Sequence, residues 1–156
     1  MGKVQNTFLN VYPGAISRSV DDIVISIANA DSVAIPFGAP VFLDATTGQA
    51  KGWTNGAGMT TFLGFATRIG VKTPDTYGGQ AGQYNPGDIM SVIVRGSVCV
   101  PFTGGTPAIT GKVYLNASTG AVTATSTSNT ELTNCKFRAA VGNGCAEVVL
   151  TSRNIQ

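Results

Sequence analysis

The sequence predicts an all-β fold, a compact barrel or sandwich, and three observations carry that expectation. The first is Asp88–Val100, where Met90, Val92, Val94, Val98 and Val100 fall on even positions, the period-two pattern of a strand. The second is a strand-turn unit written twice. Residues 41–50 read Val-Phe-Leu-Asp-Ala-Thr-Thr-Gly-Gln-Ala, and residues 113–122 read Val-Tyr-Leu-Asn-Ala-Ser-Thr-Gly-Ala-Val. Each copy is a short apolar run closed by a polar, glycine-ended turn, the signature of a strand entering a hairpin. The third is the lack of helical period: glycine or a β-branched residue interrupts every candidate.

Taken in order, the elements divide into an N-terminal arm with a first strand, 1–32, and a single β-domain, 33–156, that holds both copies of the repeat. Phe8, Val11, Tyr12 and Ile16 surround Pro13-Gly14 without a stable period, so Met1–Ser19 reads as an extended arm with one turn. Ile23, Ile25 and Ile27 alternate as the first strand, and Asn29–Ser32 turns the chain. Ile35-Pro36-Phe37-Gly38 leads into the first repeated strand, with proline tolerated at a strand start. Beyond Trp53 and the Thr54–Gly58 turn, Phe62–Ala66 is a further strand.

Val71–Gly87 holds two prolines and several glycines and reads as a long loop. In the strand that follows, Gly96 marks a bend, and the run is long enough to pass between sheets. Pro101–Thr110 is a second glycine-rich loop, and Thr125–Asn134 a polar linker. Phe137–Val141 and Glu147–Leu150 form a closing hairpin around Gly142-Asn143-Gly144.

Composition narrows the function classes. The 156 residues suit one domain with a real core. Charged residues make up 12%, about half the usual share, which suits a surface that ends against another protein. A net charge of +2 with no basic tract argues against nucleic acid and anionic membrane as partners. No run reaches membrane-spanning length, and the N-terminus lacks a signal-peptide pattern, so synthesis in a reducing cytoplasm is expected. Cys99, Cys135 and Cys145 are too few and wrongly spaced for a disulfide framework, although Cys135 and Cys145 could pair across a hairpin.

Catalytic vocabulary is thin. Histidine is absent, which removes the commonest general base and most zinc sites. Asp21-Asp22 is the one adjacent acidic pair, and neighbours on a strand point to opposite faces. Gly105–Lys112 imitates a phosphate loop but has the wrong spacing and Val113 after the lysine. No enzyme, cofactor or metal centre is expected. Asn116-Ala117-Ser118 is a glycosylation sequon better explained as turn chemistry. Trp53 reads as a ring covering one end of a barrel before it reads as a sugar platform. Arg18, beside the Tyr12-Pro13-Gly14 turn, is the arginine best placed to dock another subunit.

The order of the parts resembles the structural cement, or capsid decoration, proteins of tailed bacteriophages. The residues that carry the resemblance are Tyr12-Pro13-Gly14 with Ser17-Arg18, Pro36–Val41, Phe62–Ala66, Gly87-Asp88 leading to Val94-Arg95-Gly96, Gly111–Leu115 with Gly120–Val122, and Gly142–Leu150. The resemblance implies a virion protein on the outer surface of an icosahedral head that ties neighbouring major capsid subunits together. It carries over no active centre. Self-association is expected, with a trimer favoured and a dimer as the alternative. Phe8, Tyr12, Pro13 and Arg18 are the expected contact residues, because aromatic and proline anchors offset the entropy of ordering an arm. Two rivals are a carbohydrate- or receptor-binding module of a tail or fibre, using Trp53, Tyr77 and Tyr84, and an enzyme with an unrecognised cofactor.

Overall fold

The computed structural model describes residues 12–54, 56–68, 82–142 and 144–154. Phe8, Tyr77 and most of the loop expected at Val71–Gly87 lie outside these residues. The described chain has eleven strands and no helix: β1 Ile16–Ala28, β2 Ile35–Pro36, β3 Pro40–Leu43, β4 Ala50–Lys51, β5 Phe62–Ala66, β6 Gln83–Tyr84, β7 Ile89–Pro101, β8 Lys112–Asn116, β9 Val122–Thr123, β10 Asn129–Gly142 and β11 Cys145–Leu150. Nine form one antiparallel, curled sheet in the order β4-β3-β5-β7-β11-β10-β8-β9, with β1 on β7 as a branch; β2 and β6 pair separately.

The sheet is two similar halves that share β7. In the first half β1, β7, β5, β3 and β4 are successive neighbours, and a bridge from Asn29 to Ala50 returns β4 to the end of β1. In the second half β7, β11, β10, β8 and β9 are successive neighbours, and a bridge from Phe102 to Val122 returns β9 to the end of β7. Strand β7 is thus the last strand of one half and the first of the other.

The hydrogen bonds repeat with the strands. The Gly48 N–H donates to Asp44 O at 2.8 Å, and the Gly120 N–H to Asn116 O at 2.8 Å. Asp44 Oδ1 caps the Thr46 N–H and Asn116 Oδ1 the Ser118 N–H, the Asx-turn chemistry expected of these residues. Upstream, the Ala39 N–H donates to Pro36 O and the Gly111 N–H to Ala108 O; the Gly38 N–H donates to Ala66 O and the Thr110 N–H to Phe137 O. Gly38 and Thr110 share a left-handed backbone at φ +76° and +64°. Before the long strands, the Ala15 N–H meets Tyr12 O and the Asp88 N–H meets Asn85 O, both at 3.0 Å. The duplication therefore runs well beyond the two segments legible in the sequence.

Two apolar clusters fill the fold. One spans both halves and includes Phe42, Phe62, Phe65, Ile93, Val98, Val113 and Leu115. The other belongs to the first half and includes Ile35, Phe37, Val41, Tyr84, Met90 and Val92. Gly96 explains how β7 serves both. Before it, the even residues Met90, Val92 and Val94 join the second cluster; after it, Val98 and Val100 join the first. Its φ of +118° lies outside ordinary L-residue space, so the expected bend also exchanges the faces of the strand.

Other expectations are corrected. Strand β1 begins at Ile16, with Arg18 paired to Ser97, so the arm does not reach Ser19. The supposed linker Thr125–Asn134 contributes to β10 from Asn129, held by its ladder to β8 and by the burial of Leu132 in the core. Within the supposed loop, Gln83-Tyr84 pairs with Ile35-Pro36. The shared register of the two repeats predicts that Val41 and Leu43 are buried as Val113 and Leu115 are; the second pair is buried, whereas in the first copy Val41 is buried and Leu43 only half-buried. Phe42 is buried too, on the opposite face of β3, so the strand is covered by one cluster at Val41 and by the other at Phe42. The three cysteines are free and buried. Cys135 lies opposite Leu150 and Cys145 opposite Gly142, so they sit at opposite ends of the hairpin and cannot pair.

Burial pushes the Cys99 thiol up to about 11, with the charges of Cys145 and Glu147 adding, and it raises Cys135 and Cys145 too. The native protein should therefore be inert to a thiol reagent at about pH 8, whereas the unfolded chain should titrate all three thiols. Reaction of any thiol without unfolding would contradict this packing. The duplicated turn gives a second expectation. Gly48 faces open space, whereas a Cβ on Gly120 would collide with the Trp53 side chain; both have positive φ. Gly48→Ala should cost about 1 kcal/mol for its backbone alone, and Gly120→Ala about 3 kcal/mol or more. Denaturant midpoints at unchanged m-value would measure both.

Candidate functional site

The Tyr12-Pro13-Gly14 turn is built into the domain. Gly14 is buried at φ +75°, where its N–H donates to Cys99 O and its carbonyl accepts the Arg68 N–H, both at 2.8 Å. A Cβ there would sit 2.7 Å from Arg68 N and 2.8 Å from Ala66 O, so only glycine fits. Gly38 packs against the other side, with Pro101 Cδ 2.7 Å from where its own Cβ would lie. Tyr12 and Pro13 are half-buried on this junction. The Arg68 guanidinium lies 5.1 Å from the Tyr12 ring centre, a cation–π distance. Of the four expected contact residues, Tyr12 and Pro13 come together here, Arg18 enters β1 by its backbone, and Phe8 lies outside the described residues.

Two of the three aromatics of the sugar-binding alternative are otherwise occupied, and Tyr77 lies outside the described residues. Tyr84 is fully buried; its hydroxyl donates to Thr67 O at 2.7 Å, and its ring meets Phe37 edge-on at 5.3 Å. Trp53 is half-buried over Gly120 and meets Phe42 edge-on at 5.6 Å, so the cover of an apolar end fits it better than a sugar platform. Beside it, a groove of about 450 Å³ runs between the halves, walled by Val33, Pro36, Pro40, Pro101 and Ala121. The lining is mostly apolar, with Asp31 as its one acid among three threonines and no base to pair with it.

The charged residues support structure. Asp21 pairs with Arg95 at 2.6 Å on the surface. Asp22 has its carboxyl raised, first by burial and then by the charge of Asp21, against a lowering hydrogen bond to the Ser97 backbone. Glu147 is buried between β11 and β7, where Oε1 accepts the Ser17 hydroxyl at 2.8 Å. Among the described residues no three His, Cys, Asp or Glu side chains could hold a metal ion. Backbone close approach at Gly14 and Gly38 was not foreseen from the sequence; the Pro13-Gly14 step marked only the first of them, as a turn.

Comparison with known proteins then adds what the geometry cannot. No curated protein matches the chain. Among solved structures, a chain from "The capsid of Myoviridae Phage XM1" superposes with a TM-score of 0.73 at 18% identity, covering 99% of this chain and 100% of that one. That likeness establishes the fold. The model of a phage family described as "Structural cement protein (E217 gp24/Pam3 gp6)" matches residues 3–151. With nearly the whole length matched, this all-β chain belongs to the structural cement protein family of bacteriophages.

Proposed function

We propose that this protein binds the outer surface of a phage head as a component of the virion and stabilises contacts between major capsid subunits. The observation that carries the proposal is the family match over residues 3–151, and the physics suits it. A packed head is loaded by the DNA inside it, and a protein that adds buried area across joints between subunits resists their opening. Each contact can be modest, about 800 Å² per partner, because engaging several subunits at once raises effective concentration. A low charge share of 12% eases the desolvation of such contacts. The proposal includes synthesis in the host cytoplasm and self-association, as a trimer or a dimer.

The Tyr12-Pro13 junction is the proposed anchor region, together with Arg18 and Phe8. Tyr12 offers half its surface while its ring is held by Arg68, so little freedom is lost when it docks. Purified protein mixed with undecorated heads should co-sediment with them; failure of the wild-type protein to do so would overturn the proposal. Tyr12→Ala should weaken attachment about 30-fold, the effect of removing one central aromatic anchor, while Tyr12→Phe should retain it. Deleting residues 1–11 should leave the sheet folded and reduce decoration. Normal decoration by both variants would move the docking surface to the loop at Pro101–Thr110 or the segment leading to Gly87.

A further inference from the structure

The duplicated architecture exposes one place where the two halves are not equivalent. In the second half, the first strand is β7, and both edges of its C-terminal stretch are occupied. One edge pairs with β11. On the other, the Cys99 N–H donates to Ala15 O at 2.9 Å and Cys99 O accepts the Gly14 N–H at 2.8 Å. In the first half the corresponding strand is β1, and among the described residues it pairs along one edge only, with β7.

The free edge can be located by residue. The Asn29 N–H donates to Asp88 O and Asn29 O accepts the Gly87 N–H, so Asn29 faces β7. The Ala30 N–H faces the other way, donating to Ala50 O. Backbone direction alternates along a strand, so Val24, Ser26 and Ala28 turn their N–H and C=O groups towards the open edge. Ser26 holds the place in β1 that Cys99 holds in β7, three residues before its bridged counterpart: Asn29 bridges Ala50 as Phe102 bridges Val122. This stretch, Ile23–Ala28, carries no charge, and Val24 is 41% exposed. Charged residues, bulges or a covering segment normally guard an edge of this kind. Here the acids Asp21-Asp22 and the register shifts of β1 all lie before Val24, and among the described residues no strand pairs with the stretch beyond on this side.

We infer that the open edge of β1 pairs with β1 of a second copy, antiparallel about a twofold axis near Ser26. The protein's own second half is the precedent for filling such an edge, because there Gly14-Ala15, leading antiparallel into β1, bonds to Cys99. A pairing centred on Ser26 joins Val24 to Ala28 of the second copy through backbone hydrogen bonds. It sets Ile25 across from Ile27 of that copy in a close non-hydrogen-bonded pair. The contact is isologous, so it closes at two and does not propagate into a fibre. It selects the dimer over the trimer, and it rests on the strand edge without drawing on the capsid reading.

Sedimentation equilibrium of the full chain over about 1 μM to 1 mM, with amide exchange at low and high concentration, tests the pairing. The wild type should pass from monomer to dimer, and the Val24, Ser26 and Ala28 amides should slow about 10-fold in the dimer. Ser26→Pro removes a donor that faces away from β7, a position where edge proline is tolerated; it should raise the dimer Kd about 100-fold through two lost hydrogen bonds. Ser26→Asp brings like charges together at the axis and should weaken the dimer in a salt-dependent way, which keeps the test decisive if the proline variant does not fold. A wild type that stays monomeric or forms a trimer would overturn the inference, as would a dimer that neither variant weakens. No heads are involved, so a failed pairing and a failed decoration are separate results.

Discussion

Everything in this fold hangs on β7 serving both halves of one sheet at once. The constraint is stereochemical, because one strand must present apolar side chains to different clusters along its length. A uniform strand cannot, since alternation fixes each parity to one face. Gly96 at φ +118° breaks the parity, and a side chain there would run into Asp22. The exchange lets Met90 and Val92 pack with Tyr84 and Phe37, while Val98 and Val100 pack with Val113 and Leu115. Neither half has a complete sheet without this strand.

Legibility followed the physics of burial. The long alternation at Asp88–Val100 and the closing hairpin could be read because their side chains declare their faces. The repeated turn could be read because Asp44 and Asn116 do chemistry with their own backbone. What stayed hidden lay in short or mostly polar segments. Asn129–Asn134 is polar but for Leu132, which is buried in the core, and its ladder to Leu115 and Tyr114 makes it strand; Gln83-Tyr84 pairs over only two residues. The burial of Phe42 beside Val41 reflects a strand covered on both faces by different clusters, which an alternating pattern cannot foresee. The wider duplication was written plainly in one place, Pro13-Gly14-Ala15-Ile16 and Pro86-Gly87-Asp88-Ile89, but two short matches carry little weight until the hydrogen bonds align them.

The candidate contact region was legible in part for the same reason. Tyr12-Pro13-Gly14 stood out as a turn, and it is one, but its neighbours Gly38, Arg68 and Cys99 come from distant parts of the chain. Sequence could not show that the turn is stitched to the sheet. Nor could it separate Trp53 and Tyr84, two aromatics in glycine-rich surroundings, from exposed sugar-stacking residues; packing against Gly120 and the bond to Thr67 decide that. Function was legible only through the order of parts, since a scaffold that works by its surface needs no distinctive reacting group.

The shared strand also has a mechanical consequence. Two domains joined by a linker yield at the linker, and a load between them is spent on reorienting a hinge. Here the halves are joined along β7 itself, from Ile89 to Pro101, with β5 and β11 on one side and β1 on the other. A force that pulls the halves apart along the strand is therefore met by ladders of hydrogen bonds loaded in shear, which must fail together and not one after another. A body anchored at both ends of such a strand behaves as a tie with no compliant joint.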